Sequence, residues 1–289
     1  MKIILSRKGF DSSYGGMPSP ILPDGRMLSL PIPSNKGRPP EQCRFGKKTY
    51  RDLIDQLRRS SDRDWKNIDS VHLDPDLEKG TVPRSQGWKP SLGQTGAAKS
   101  HLKNQGVGPG DLFLFYGWFK RTDTIDGELR FIRGAPSIHC IFGWLQVESV
   151  LTVMPGDGLP TNKKWLADHP HVVFSDEFPK GSDIYVAKKE LEIDGIPPGI
   201  PGGGAFHRYR ENLRLTAPDA VGRSEWLLPS WFVNKEGGSI LSYNTRPENW
   251  SLRSDGAVLR AAAKGQEFVF DGAGLPQIEK WVHDLLVNE

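Results

Sequence analysis

Apolar residues along this chain recur at two spacings, and the longest runs carry large rings. Ile3, Ile4 and Leu5 form a short unbroken apolar run, the pattern of a strand covered on both faces. Leu112 to Phe119 follows the turn Gly108-Pro109-Gly110-Asp111 and reads as an aromatic-rich strand. A polar hairpin around Asp126-Gly127 leads from it into Phe131-Ile132, because Asp-Gly favours the tight turns that join antiparallel strands. Ile138 to Leu151 is a second strong strand run, and residues 171 to 194 continue the signal through Val172-Val173-Phe174 and Asp183-Ile184-Tyr185-Val186. Helical spacing appears in Leu53, Ile54 and Leu57 behind a Thr49 N-cap, in residues 94 to 104 ahead of Gly106, and from Leu275 to Leu286. The last places Ile278, Trp281, Val282 and Leu285 on one face.

These elements predict an α+β fold, mostly β, with a mixed or barrel-like sheet and a few flanking helices. At 289 residues the chain can bury a large core as a single compact domain, 1–289. Within it we distinguish a basic N-terminal portion (about 1–105), a strand-rich portion (about 106–195) and a C-terminal portion (196–289) that begins in the turn-dense connector Gly195 to Gly204. The middle order of helix, Gly-Asp turn, aromatic strand, hairpin and the run Gly143 to Leu151 resembles the small barrels of PUA, ASCH and EVE type. That resemblance implies recognition of RNA or of modified bases.

Composition narrows the classes. No stretch approaches the ~18 consecutive apolar residues of a membrane span, and the N-terminus carries no apolar signal region, so a cytoplasmic protein without a membrane role is expected. Cys43 and Cys140 lie far apart, without metal-ligand spacing or a disulfide framework. The net charge of +3 is unevenly spread: residues 1–110 hold 19 Lys and Arg against 11 Asp and Glu, hence +8, which leaves −5 for the remainder. A basic first third suits a phosphate backbone, whose affinity comes largely from counterion release by cations. Arg7, Lys8, Arg51, Lys99 and Arg208 are the backbone candidates.

Ser6 to Gly16 holds the densest chemistry. A strand runs into Arg7 and Lys8, then Asp11, Ser12, Ser13, Gly15 and Gly16. Glycines allow close backbone approach, so successive N–H groups can form an anion nest while the hydroxyls and cations bind a nucleotide. Asp11 would repel a phosphate there and suits reaction chemistry or a sugar hydroxyl; its alternative is to cap the loop's own amides.

This opening, followed by Met17-Pro-Ser-Pro-Ile-Leu-Pro-Asp-Gly25 and Leu28-Ser-Leu-Pro-Ile-Pro33, then His72-Leu-Asp-Pro-Asp76 and Gly110-Asp-Leu-Phe-Leu-Phe-Tyr-Gly-Trp118, resembles the nucleotide-modification-associated family, third domain type, over most of the chain. The resemblance implies a role on modified nucleobases in conflict between phage and host. It also suggests kinship with antiviral DNA glycosylases that excise glucosylated hydroxymethylcytosine.

Other candidates follow from the residues. His72, Asp74 and Asp76 alternate at a strand end, where every second side chain shares a face, and suit a metal, a sugar diol or an activated water. Their alternative is a turn opened by Asp74-Pro75. Gln94 and the small residues after it start a helix whose N-terminus favours anions. Tyr116 and Trp118 share a strand face and are candidate platforms for an extruded base. His169-Pro170-His171 has ligand types but no third partner in the sequence, so it reads as a loop. With no P-loop, dinucleotide fingerprint or zinc-deaminase signature, no cofactor is expected. The expectation is an enzyme that binds DNA bearing a modified base, flips that base out and cleaves its N-glycosidic bond, with Asp11, Asp74 and Asp76 as candidate catalytic carboxylates. A sugar transferase and a non-catalytic reader of modified bases remain the alternatives.

Overall fold

In the computed structural model, residues 1–59, 68–233, 241–243, 246–261, 267–272 and 275–287 are described. The aromatic-rich segment forms the strand Leu112–Ile125 at the centre of a nine-stranded sheet. Lys2–Arg7 pairs with it in parallel, Ile3 opposite Leu112 and Arg7 opposite Tyr116, and Ile138–Val153 pairs on its other side antiparallel. The order across the sheet is Glu267–Asp271, Lys2–Arg7, Leu112–Ile125, Ile138–Val153, Ser182–Ala187 and Ser91–Thr95. Residues 112 to 116 are all buried, as expected of a strand with parallel pairing and cover on both faces.

The sheet curls because one strand serves two neighbours. Ile138–Val153 pairs with Leu112–Ile125 through Gln146, then with Ser182–Ala187 from Val147 onward, with register shifts at Ile141/Gly143 and Val147/Ser149. Such bulges bend a strand and increase its twist, and the result is a curled half-barrel. The protein is thus α+β and mostly β, its sheet drawing strands from the N-terminal, middle and C-terminal stretches.

Local rules account for the helices. Tyr50–Arg59 opens on a capping box in which Asp52 N–H donates to Thr49 Oγ1 at 3.1 Å while Thr49 N–H donates to Asp52 Oδ2 at 2.8 Å. Its Leu53, Ile54 and Leu57 join Phe10, Met17 and Leu30 in a second core beside the main one. Pro276–Leu286 buries Ile278, Val282, Leu285 and Leu286. One element departs from the strand reading: Pro170–Val173 is a helical turn, with Pro170 in its first turn and the His169 side chain accepting from His171 N–H. Among the described residues, no helix is long and apolar enough to cross a membrane.

Candidate active site

Four elements meet at the end of the strand Ser91–Thr95 and enclose a cavity of about 810 Å³. They are that strand, the helix Gly96–Asn104 that continues it, the pair formed by Ile32–Arg38 and Val71–His72, and the turn around His171. A volume of this size lies within the range of small-ligand sites.

Asp74 forms one wall. Gly93 N–H donates to its Oδ1 at 2.8 Å, which turns Oδ2 toward Nε2 of His171 at 3.2 Å and Nε2 of His72 at 3.7 Å. Burial works to raise its pKa, but the imidazoles of His171 and His72 beside it hold the carboxyl well below the usual range, so it is charged. Both imidazoles are held from behind: His72 Nδ1 meets the Lys36 carbonyl at 2.7 Å and His171 Nδ1 meets Ser182 Oγ at 2.9 Å. Phe178 stacks on His171 with ring centroids 4.9 Å apart, and Lys36 lies over the other ring, 4.6 Å from the Phe178 centroid.

The floor is a buried polar cluster. Glu267 Oε1 accepts from Lys8 Nζ at 2.7 Å and from Gln94 Nε2 at 2.6 Å, while Glu267 Oε2 is buried without a hydrogen-bond partner among the described residues. Opposite stand His101 and Tyr243, stacked with centroids 4.5 Å apart, and Tyr14. Ala97 and Ala98, in the first turn of the helix Gly96–Asn104, also face the cavity, and Thr95 gives that helix no side-chain cap. Its first amides are therefore positioned for an anion. The cavity combines a charged carboxylate between two imidazoles, ring faces and a helix N-terminus.

The structure brings together His72, Asp74, Gln94 and Lys8 of the residues read from the sequence. Gln94 stands on the strand before the helix, and Lys8 is buried in an ion pair with Glu267 on the cavity lining. His171 supplies the third partner that the sequence did not reveal. Asp76 is drawn off: Arg84 binds both its oxygens and Trp88 Nε1 donates to Oδ2 at 3.2 Å, so this carboxylate is consumed in a buried ion pair.

The loop of Ser6 to Gly16 closes on itself. Asp11 Oδ1 accepts the N–H groups of Ser13 and Tyr14, both at 2.7 Å, its carbonyl accepts from Gly16 at 2.8 Å, and Arg7 lies 3.6 Å from Oδ2. Three of the amides available for an anion nest, those of Ser13, Tyr14 and Gly16, are taken by Asp11 itself. Gly15, at φ +82°, leaves space for the Phe10 ring, and Ser12 Oγ accepts from Arg223. Asp11, Ser12, Ser13, Gly15 and Gly16 thus build a loop whose Tyr14 reaches the cavity while they do not line it.

Tyr116 is core, packed edge-on against Trp226 at 4.9 Å and near His139 and Phe268. Trp118 on the same strand face is covered by the Arg223 guanidinium, 4.2 Å from its ring. Tyr116 offers no free ring to a base, because the C-terminal third packs over it, while Trp118 stays half-buried beneath Arg223. The remaining cations take local partners: Arg51 the Ile68 carbonyl and Glu41, Lys99 the Lys180 carbonyl and Asp183, and Arg208 the Asp24 carbonyl.

A family model described as nucleotide modification associated domain 3 matches residues 2–271. The chain belongs to that family. No curated protein and no solved structure matches it.

Proposed function

We propose that this protein is a DNA glycosylase that holds an extruded, modified nucleotide in the cavity and hydrolyses its N-glycosidic bond. Membership of a family associated with nucleotide modification supports a substrate of that kind. The observation that carries the reading is Asp74, a buried and charged carboxylate on the cavity wall, fixed by Gly93 and flanked by His72 and His171. Hydrolysis needs a group that orients water toward C1′ and steadies the cationic sugar, donors for the departing base and room for the nucleotide. The water oxygen bonds to C1′, the C1′–N bond breaks with its electron pair passing to the base, and the base takes up a proton. Asp74 orients the water and takes up its proton as the bond to C1′ forms. Tyr243 and Tyr14 supply ring faces on which a base can stack, and the helix N-terminus suits the flanking phosphate. Such cleavage leaves an abasic site and would act against phage whose DNA carries the modification.

A second reading has one observation in its favour. The same uncapped helix end could hold the diphosphate of a nucleotide sugar, making the protein a base-modifying transferase. Incubation of the purified protein with DNA carrying the modified base, followed by mass spectrometry, separates the readings: free base with an abasic site supports the glycosylase, added mass on DNA only with a nucleotide sugar supports the transferase, and tight binding with neither supports a reader.

A further inference from the structure

We propose that His72, Asp74 and His171 form a divalent metal site open to the cavity. One donor atom from each lies within 4.8 Å of the others, with Asp74 Oδ2 at 3.2 Å from His171 Nε2 and 3.7 Å from His72 Nε2. Bonds of about 2.1 Å to a shared ion set neighbouring donors about 3.0–3.4 Å apart, so small side-chain shifts seat an ion between them.

Proton positions point the same way. His72 Nδ1 faces the Lys36 carbonyl at 2.7 Å, and a carbonyl only accepts, so Nδ1 carries a hydrogen and Nε2 is the ring nitrogen left for a ligand on the cavity side. That nitrogen faces a carboxylate oxygen. Across 3.7 Å a proton on Nε2 would make no effective hydrogen bond, whereas a cation between the two atoms satisfies both. Ser182 behind His171 and Gly93 N–H behind Asp74 complete the outer support, the arrangement that orients metal ligands and raises their basicity.

Two imidazoles and one carboxylate suit a borderline first-row ion such as Zn²⁺, Fe²⁺ or Mn²⁺. Three protein ligands leave coordination positions for water on the cavity side. Binding of the ion is independent of any reaction; its use as the source of the attacking water, by lowering that water's pKa to about 7, rests on the glycosylase reading.

The test uses the full chain after chelation, titrated with Zn²⁺, Mn²⁺ and Co²⁺ by calorimetry, with Co²⁺ absorption reporting the ligand set. One ion per chain is expected. His72→Gln and Asp74→Asn should each weaken it by more than about 100-fold, beyond what loss of an outer partner costs, while metal-free His72→Gln melts as the parent does. Absence of stoichiometric binding by all three ions, or equal binding by both variants, overturns the site. Base release followed on the same samples separates the two claims. A bound ion without release supports the site and overturns the glycosylase; undiminished release by metal-free protein overturns the metal's part and keeps the glycosylase.

Discussion

The imidazole of His171 lies directly on Gly93: a β-carbon at that glycine would overlap the ring. The same residue donates its N–H to Asp74 at 2.8 Å, so one position without a side chain both anchors the carboxylate and admits its partner. Gly93→Ala should therefore displace His171, costing about 1–3 kcal/mol as a core overpacking change does and lowering base release more than stability alone explains. Denaturant titration and turnover on one preparation check this; unchanged values in both would mean that His171 has room to move.

Lys8 is a buried half of an ion pair, its Nζ 2.7 Å from Glu267. Removing one partner of such a pair leaves the other charge uncompensated and costs about 3–5 kcal/mol. Lys8→Met should thus lower the unfolding free energy on that scale and leave the salt dependence of DNA binding unchanged. A log–log salt slope reduced by about 1 would instead mark a phosphate contact.

Buried histidines set a pH dependence. Burial lowers the pKa of His139 and of His169 from the ordinary 6.5 to about 3, and Trp226 Nε1 donates to the neutral His139 Nδ1 at 3.0 Å. The unfolded chain takes up these protons below about pH 6.5 while the folded chain does not, so stability is greatest above that pH and falls as the solution is acidified toward 3. Each histidine adds up to about 1.4 kcal/mol per pH unit to the slope. Stability measured from pH 6 to 5 should show a shallower slope in His139→Gln; an equal slope would remove His139 from the effect.

Tyr116 differs from the reading of a stacking platform in a measurable way. Tyr116→Ala should destabilise by about 3–5 kcal/mol, as truncation of a buried ring does, with the folded fraction binding DNA as the parent does. Weaker binding without a loss of stability would return that ring to the site.

Much of this molecule is readable from short-range rules. Alternation along Val71 to Asp74 puts His72 and Asp74 on one face, Asp126-Gly127 marks its hairpin, and Thr49 with Asp52 marks a helix start. What fails is anything that depends on distant packing. His171 reaches Asp74 from far along the chain, and Pro170 after His169, a helix-start signal, is the local clue to its position. Glu267 leads a strand of Phe268, Val269 and Phe270, where a carboxylate calls for a buried partner; only the fold reveals that partner as Lys8. A carboxylate in a glycine-rich loop closes the loop or serves chemistry with the same residue types, and in Asp11 the backbone geometry decides for closure.

The most direct test of the account compares base release from modified DNA by the parent protein, Asp74→Asn and Asp11→Asn, with free base and abasic sites counted by mass spectrometry and thermal melting confirming the fold. The account predicts release by the parent, a fall of about 10²–10⁴-fold in Asp74→Asn with DNA binding kept, and a change of less than about tenfold in Asp11→Asn. No release from the parent, or undiminished release from a folded Asp74→Asn protein, would contradict it.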